Sequence, residues 1–183
     1  LNGKAEPIGV IGYDNYGTIF NSLLSEQNIS HHGIIEDDTR PTTAKTRVIA
    51  DSQHIVRIDK ESKQIINQLM QNKILDYIKS IIKDLDGIIL QDYNKGVLSA
   101  PLIAQVIELA NKNKKLVTVD PKFNNFYEYK NVTVFKPNRK EAEDILGMKI
   151  KTDADISFAG NTLLKKLNAK NILLTLGEGG IAV

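Results

Sequence analysis

The 183-residue chain contains no cysteine. A disulfide framework and a thiolate zinc site are therefore excluded, and a reducing compartment such as the cytoplasm fits. Long apolar runs are missing too: 42% of residues are hydrophobic, but no stretch approaches the ~20 needed to span a bilayer. Leu1-Asn2-Gly3-Lys4 is not a signal peptide. Charge of one sign is scarce. Lys and Arg number 24 against 22 Asp and Glu, a net charge of +2, which offers neither a basic footprint for nucleic acid nor an acidic solvating tail. No nucleic-acid or membrane partner is expected. Neither a Walker A motif nor Gly-x-Gly-x-x-Gly is present, and Gly177-Glu178-Gly179-Gly180 has a different spacing and follows the last strand-like run. P-loop enzymes and dinucleotide dehydrogenases are disfavoured accordingly. No serine occupies a nucleophile elbow. His31 and His32 stand before Gly33 without a metal-spaced partner and read as a solvated turn, and His54 reads as structural.

What is present is a repeating unit of a short apolar run followed by an amphipathic helix. Strand-like runs fall at Ile8–Gly12, Gly87–Leu90, Leu116–Val119, Val132–Phe135 and Ile172–Leu176. Helical patterns occupy Tyr16–Asn28, Lys63–Lys83, Pro101–Asn113, Glu141–Leu146 and Ser157–Leu167. Pro101 suits a first helical turn and Gly147 a helix stop. Strands separated by single helices cannot be hairpins, so they must pair in parallel through crossovers. The pattern predicts a doubly wound α/β fold, with these five strands in one parallel sheet flanked by helices.

Thr42 to Asp59 departs from this pattern. It is rich in Thr, Val and Ile, lacks a helical period and carries turn-prone Asp51-Ser52. Ala44–Ala50 and His54–Ile58 are expected to form an antiparallel hairpin, with Lys45 and Arg47 on one face. Such a hairpin is either an edge with solvated charges, or a lid or dimer contact.

In open parallel sheets ligands bind beyond the carboxyl ends of the strands. There the sequence sets Asp92 and Lys95 after the second strand, and Asp120 and Lys122 after the third. Asn138 and Glu141 follow the fourth, and Thr175, Gly177 and Gly180 close the last. Taken singly, each has an ordinary structural explanation: turn formers, solvated lysines, and a capping box between Asn138 and Glu141. Taken together, they supply lysines for phosphate, a carboxylate and carboxamide for a hard cation, and glycines that admit a nucleotide. Those are the parts of phosphoryl transfer, which relies on positioning and charge neutralisation.

These segments resemble the ribokinase-like (PfkB-type) carbohydrate kinases, and within them the heptose 7-phosphate kinase half of bifunctional ADP-heptose synthesis enzymes. Thr42–Ala50 with Ile55–Asp59 is similar to that subfamily's lid hairpin. Gln91-Asp92-Tyr93-Asn94-Lys95-Gly96-Val97-Leu98 is similar to its Asp-Tyr-x-Lys-Gly segment. Asp120-Pro121-Lys122, Asn138-Arg139-Lys140-Glu141 and Thr175-Leu176-Gly177-Glu178-Gly179-Gly180 resemble the Asp-Pro-Lys, Asn-x-x-Glu and Thr-x-Gly-x-x-Gly motifs.

The resemblance implies ATP as co-substrate and Mg2+ as cofactor. Lys45, Arg47, Asp92, Lys95, Asp120 and Lys122 would bind or organise sugar and transferring phosphate. Asn138, Thr175, Gly177 and Gly180 would line the nucleotide, and Asn138 with Glu141 would order the metal and its waters. The implied acceptor is a phosphorylated sugar, D-glycero-D-manno-heptose 7-phosphate, on the route to ADP-heptose and the lipopolysaccharide core. The rivals are a fructose, ribose or nucleoside kinase, or a non-catalytic module of the same fold. Because such a hairpin exposes an apolar face and an edge, a homodimer through it is expected, and a cytoplasmic location is implied as well. The family's N-terminal sugar-binding Gly-Gly segment has no match, nor does its Gly-Ala-Gly-Asp motif with the catalytic base. The chain is therefore expected to be the central part of a kinase domain over residues 1–183, with residues 42–59 as the lid. It should be truncated at both ends and inactive alone, with no catalytic base before Val183.

Overall fold

The computed structural model describes residues 3–50 and 53–183. The chain divides into two compact units. One comprises the described residues through Tyr77 together with Lys95–Val97, the other Ile78–Asn94 with Leu98–Val183.

The first unit opens with β1 (Gly9–Gly12), α1 (Asn15–Glu26) and β2 (Ile34–Asp37). Asp14 caps α1 by accepting from Gly17 N at 3.0 Å, and it also accepts from Thr42 N at 3.1 Å. The Gly17 bond, helped by Thr42, lowers the Asp14 pKa to about 2. The strand expected to start at Ile8 starts at Gly9, and its hydrogen-bonded partner is β2, in a parallel ladder of these two strands alone. Sequence periodicity missed β2 because Ile34-Ile35-Glu36-Asp37 is too short to show one. β3 (Ala44–Ala50) and β4 (Gln53–Lys60) form the expected antiparallel hairpin, with a register shift between Val48 and Ile49. The turn expected at Asp51-Ser52 lies outside the described residues. Residues alternate between the faces of a strand, so Lys45 and Arg47 share one face and Thr46 and Val48 the other. Val48, Val56 and Ile58 are exposed, as are Ile49 and Ile55.

The helix expected over Lys63–Lys83 is α2 (Gln68–Ile81), followed by a 3-10 turn at Ile82–Asp84. It starts late because the Ile66 N–H donates to Gly96 O at 2.9 Å, which keeps that amide out of the helix. Asn67 then caps α2, its side chain accepting from Met70 N at 3.0 Å. Ile66, Met70, Ile74, Ile78 and Ile82 are all buried, at the four-residue spacing that made the helix legible.

The second unit contains β5 (Gly87–Gln91), α3 (Ala100–Lys112), β6 (Leu116–Asp120), β7 (Val134–Phe135), α4 (Arg139–Leu146), α5 (Asp153–Leu167) and β8 (Asn171–Ile172). β5, β6, β7 and β8 pair in that order, all parallel. Val117, Val119 and Phe135 are wholly buried and so are Ile103, Ala110, Leu163 and Leu167. Phe126 meets Phe135 edge-on at 4.9 Å between centroids, a geometry worth about 0.5–1.5 kcal/mol beyond area burial.

The strand expected at Val132 begins at Val134, because Val117 N donates to the Thr133 hydroxyl at 3.0 Å in place of a carbonyl. The strand expected over Ile172–Leu176 is divided. β8 pairs with β7, whereas β9 (Leu174–Thr175) pairs antiparallel with β10 (Ile181–Ala182) around a 3-10 turn at Gly177–Gly179. α4 and α5 start earlier than expected because capping boxes at Asn138/Glu141 and Thr152/Asp155 satisfy their first amides. Gly147 stops α4 in the left-handed region at φ 66°. Among the described residues no helix is long and apolar enough to cross a membrane.

Two glycines should respond oppositely to alanine. Gly96 has φ +75°, and an added Cβ would collide with the backbone of Gln64 and Ile65. Gly160 lies inside α5 with nothing within 4 Å of an added Cβ. Gly96→Ala should destabilise by at least about 1–3 kcal/mol, and Gly160→Ala should stabilise by about 0.5–1 kcal/mol. Urea unfolding followed by circular dichroism checks both signs.

Candidate functional site

Parallel pairing brings four chain crossings of the second unit to one edge. Beyond β5, Asp92 extends the ladder, its N–H donating to Asp120 O at 3.0 Å. Beyond β7, Pro137 O accepts from Thr175 N at 3.0 Å, and Asn138 bridges in parallel to Thr175. Two motifs 37 positions apart by their residue numbers are thereby set side by side.

Asn138 is the N-cap of α4. Its side chain accepts from Glu141 N at 2.9 Å, and Glu141 Oε2 accepts from Asn138 N at 2.9 Å. The capping box weighed against a metal role is therefore present. Glu141 does more than cap, because its other oxygen, Oε1, receives the Lys122 ammonium. Partial burial pushes the Lys122 pKa down, but the bond to Glu141 and the charges of Glu141 and Asp120 together outweigh this and the net shift is upward. Asp120 forms the neighbouring pair. Its Oδ1 lies 2.9 Å from Lys136 Nζ, and its Oδ2 accepts from Gln91 Nε2 at 2.5 Å. Burial alone would raise the Asp120 pKa, whereas the Lys136 and Gln91 bonds bring it below the usual value. The rim thus carries two lysine–carboxylate pairs, Lys122–Glu141 and Lys136–Asp120. Gln91 was quoted in a sequence motif without an assigned role, and Lys136 was assigned none.

Asn138, Thr175, Gly177 and Gly180 line one open groove of about 860 Å³, together with Arg139 and Leu176. All four residues expected on the nucleotide side meet there. Gly177 and Gly180 have φ of +66° and +81°, which L side chains adopt only with strain.

Asp92 is 3% exposed. Its Oδ1 accepts from Asn94 N at 2.7 Å, and its Oδ2 accepts from Tyr129 Oη at 2.8 Å and Asn125 Nδ2 at 3.1 Å. Among the described residues its bonding partners are thus Asn94, Asn125 and Tyr129, not a lysine. Burial, and then the bond to Asp92, raises the Tyr129 pKa far above the usual phenol value. Neither Asn125 nor Tyr129 was legible as a partner, since residues 123–133 carry no periodicity or motif.

In the first unit Lys95 pairs with Glu61, which also lies 3.5 Å from Lys45 Nζ. Lys45 is shared with Asp59 at 3.5 Å, and Asp59 holds Arg57 at 3.0 Å. The bond from Lys95 lowers the Glu61 pKa, against a smaller effect of burial. Glu61, which carries no motif, is thus what joins two of the candidate phosphate lysines, Lys45 and Lys95. Arg40 Nη2 fixes the local backbone by donating to Lys95 O at 2.6 Å. Arg47 lies exposed on the hairpin, opposite Arg57 in the register. His31 and His32 are exposed and stacked at 5.6 Å, as a solvated turn allows.

Among the described residues no group of three or more His, Cys, Asp or Glu can enclose a metal. The donor set at the α4 start is one carboxylate and one carboxamide. That set fits Mg2+, which keeps several waters and takes one or two carboxylates beside substrate phosphates, and it does not suit a transition metal.

A parallel α/β sheet whose carboxyl edge carries lysine–carboxylate pairs, an Asn-x-x-Glu helix start and a glycine turn defines an open-sheet α/β protein with its polar clusters at the edge where such folds bind ligands. The chain belongs to the pfkB family of carbohydrate kinases, whose family description, "pfkB family carbohydrate kinase", matches residues 1–183. It is 42% identical over 182 residues to the bifunctional protein HldE of Helicobacter pylori strain G27, covering 100% of this chain and 39% of that protein. The HldE of Geobacter sulfurreducens is 40% identical over 183 residues, with 100% and 37% covered. The chain therefore spans about two fifths of the length of these relatives. Solved structures with the same fold include Escherichia coli phosphofructokinase-2 in its tetrameric inhibited form, with a TM-score of 0.74 at 19% identity over 99% of this chain and 59% of that one. Giardia lamblia ribokinase has a TM-score of 0.72 at 18% identity, covering 95% and 53%. The fold is thus ribokinase-like.

Tyr129→Phe removes one donor from a buried carboxylate and should cost about 1–3 kcal/mol. A folded-state pKa raised above the unfolded value gives stability that is complete below the unfolded pKa and lost as pH rises through the folded one. The wild type should therefore lose stability above about pH 10, and Tyr129→Phe should lose less over that range. Denaturation midpoints from pH 7 to 11 provide the check.

Proposed function

We propose that the protein is an ATP-dependent sugar kinase acting on a phosphorylated heptose, D-glycero-D-manno-heptose 7-phosphate, in ADP-heptose biosynthesis in the cytoplasm. The observation that carries the reading is the Asn138–Glu141 capping box with Lys122 on its free oxygen, at the carboxyl edge of a parallel sheet. The 40–42% identity to HldE proteins across the whole chain favours the heptose over fructose, ribose or a nucleoside.

In the proposed reaction a sugar hydroxyl attacks the γ-phosphorus of ATP in line, the bond to the bridging oxygen breaks, and ADP leaves. Lys95, Lys45 and Arg47 are assigned to the sugar phosphate, and Lys122 to the transferring phosphoryl group. Asp120 holds the rim lysine Lys136, and Asp92 braces its own loop from within. Thr175, Gly177 and Gly180 receive the nucleotide, with the positive end of the α4 dipole favouring its negative charge. Glu141 and Asn138 would hold Mg2+ largely through its waters, and bound there it would neutralise phosphate oxygens. We also infer a homodimer through the β3–β4 hairpin, since a two-stranded ribbon exposing Val48, Val56 and Ile58 presents an apolar face and open edges.

The test is ATP-dependent phosphorylation by the full-length gene product. Heptose 7-phosphate should exceed fructose 6-phosphate, ribose and adenosine in kcat/KM by at least about tenfold. Glu141→Gln should lower kcat roughly 10²–10³-fold and raise the Mg2+ requirement, leaving the melting temperature nearly unchanged because Gln also closes a capping box. Equal use of another acceptor would overturn the sugar assignment. Loss of stability with normal kinetics would return Glu141 to a purely structural role, and no turnover with any acceptor would favour a binding module. For the dimer, sedimentation at tens of micromolar should give twice the monomer mass, and Val48→Asp should halve it.

A further inference from the structure

We propose that Lys122 is an exchangeable counter-ion for Glu141, released to the substrate phosphate when a divalent cation takes its place. The proposal rests on the reading of Glu141 as a metal residue and adds a coupling between metal and phosphate that this reading does not contain. The two oxygens of Glu141 are not equivalent. Oε2 is committed to the backbone N–H of Asn138 at 2.9 Å and closes the capping box. Oε1 is the oxygen that can serve a cation without opening the helix start, and it is the one that Lys122 Nζ holds. The carboxylate is 14% exposed, too enclosed to accommodate a hydrated cation and an ammonium on the same oxygen. The two cations must therefore exchange.

Where Lys122 goes follows from its other neighbour. Asp120 is the other carboxylate whose charge reaches Lys122, but its Oδ1 already holds Lys136 at 2.9 Å and its Oδ2 holds Gln91 at 2.5 Å. A released Lys122 thus finds neither Asp120 oxygen open. The Lys122 side chain, which follows Pro121, is 36% exposed, so its ammonium can turn outward to an anion. Without a cation the same ammonium is neutralised by Glu141 and attracts phosphate poorly. Glu141 Oε1 has a cationic partner in both states and Oε2 stays on the Asn138 N–H, so α4 keeps its cap throughout. Glu141, Lys122 and the incoming phosphate then form a relay in which cation binding activates the phosphate-binding lysine.

Binding of Mn2+ alone to the full-length protein, followed by electron paramagnetic resonance of the free ion, tests the exchange without turnover. Lys122→Met should tighten Mn2+ on the order of fivefold, the factor for losing a part-exposed competing ion pair. Lys122→Arg should leave it near the wild-type value, and Glu141→Gln should weaken it in either background. Unchanged Mn2+ binding in Lys122→Met, with weakening in Glu141→Gln, would overturn the exchange while leaving Glu141 a metal residue. Unchanged binding in Glu141→Gln would overturn both. Should Lys122→Met fail to fold, the wild type decides. Acetylation of Lys122, quantified by peptide mass spectrometry, should rise severalfold in millimolar Mg2+ but not in NaCl of equal ionic strength. An equal rate in the two salts would overturn the proposal.

Discussion

Parallel pairing is the constraint on which the rest of this structure depends. Strands that run in one direction must all end on one edge, and the chain beyond each end must then turn away. In the β5–β8 ladder that edge collects Asp92, Asp120, Lys122, Lys136 and Asn138. The ladder continues past the strands through the Asp92 N–H to Asp120 O and the Thr175 N–H to Pro137 O. These bonds fix the rim backbone before any side chain is considered. The side chains inherit their positions from a hydrogen-bonded frame whose buried face is Val117, Val119 and Phe135.

On that frame charge is balanced in pairs. Lys122 meets Glu141, Lys136 meets Asp120, and in the other unit Lys95 and Lys45 meet Glu61. Part-exposed ion pairs contribute at most about 1 kcal/mol, so their presence says little about stability. They say more about readiness, because a lysine held by one carboxylate is positioned and easily exchanged. Asp92 is the contrasting case. A buried carboxylate with donors from Asn94, Asn125 and Tyr129 is a brace, and leaving it short of a donor carries the full desolvation cost.

Much of this was legible. The 3.6-residue and short-run patterns yielded the α/β class, the parallel order and the hairpin, because they depend only on which residues must be buried. Asn138 and Glu141 were legible because a strand-to-helix junction calls for a cap, and Gly177 and Gly180 because a tight turn calls for residues that tolerate positive φ. Boundaries went astray where one non-local bond decided them. Ile66 N to Gly96 O delayed α2, the Thr133 hydroxyl shortened β7, and the Gly177–Gly179 turn split the last strand. β1 joined β2, a strand too short to carry a period.

By itself the sequence determined the fold class, the chemistry available at each strand end and the family, because composition, periodicity and motif are local properties of the chain. Only tertiary structure decided the partners: Lys122 with Glu141, Lys136 with Asp120, Glu61 between Lys45 and Lys95, and Tyr129 beneath Asp92. The partners in each of those pairs lie 16 or more residues apart. Pairing at such separations is set by ladder register and core packing, and neither leaves a periodic trace in the amino-acid order.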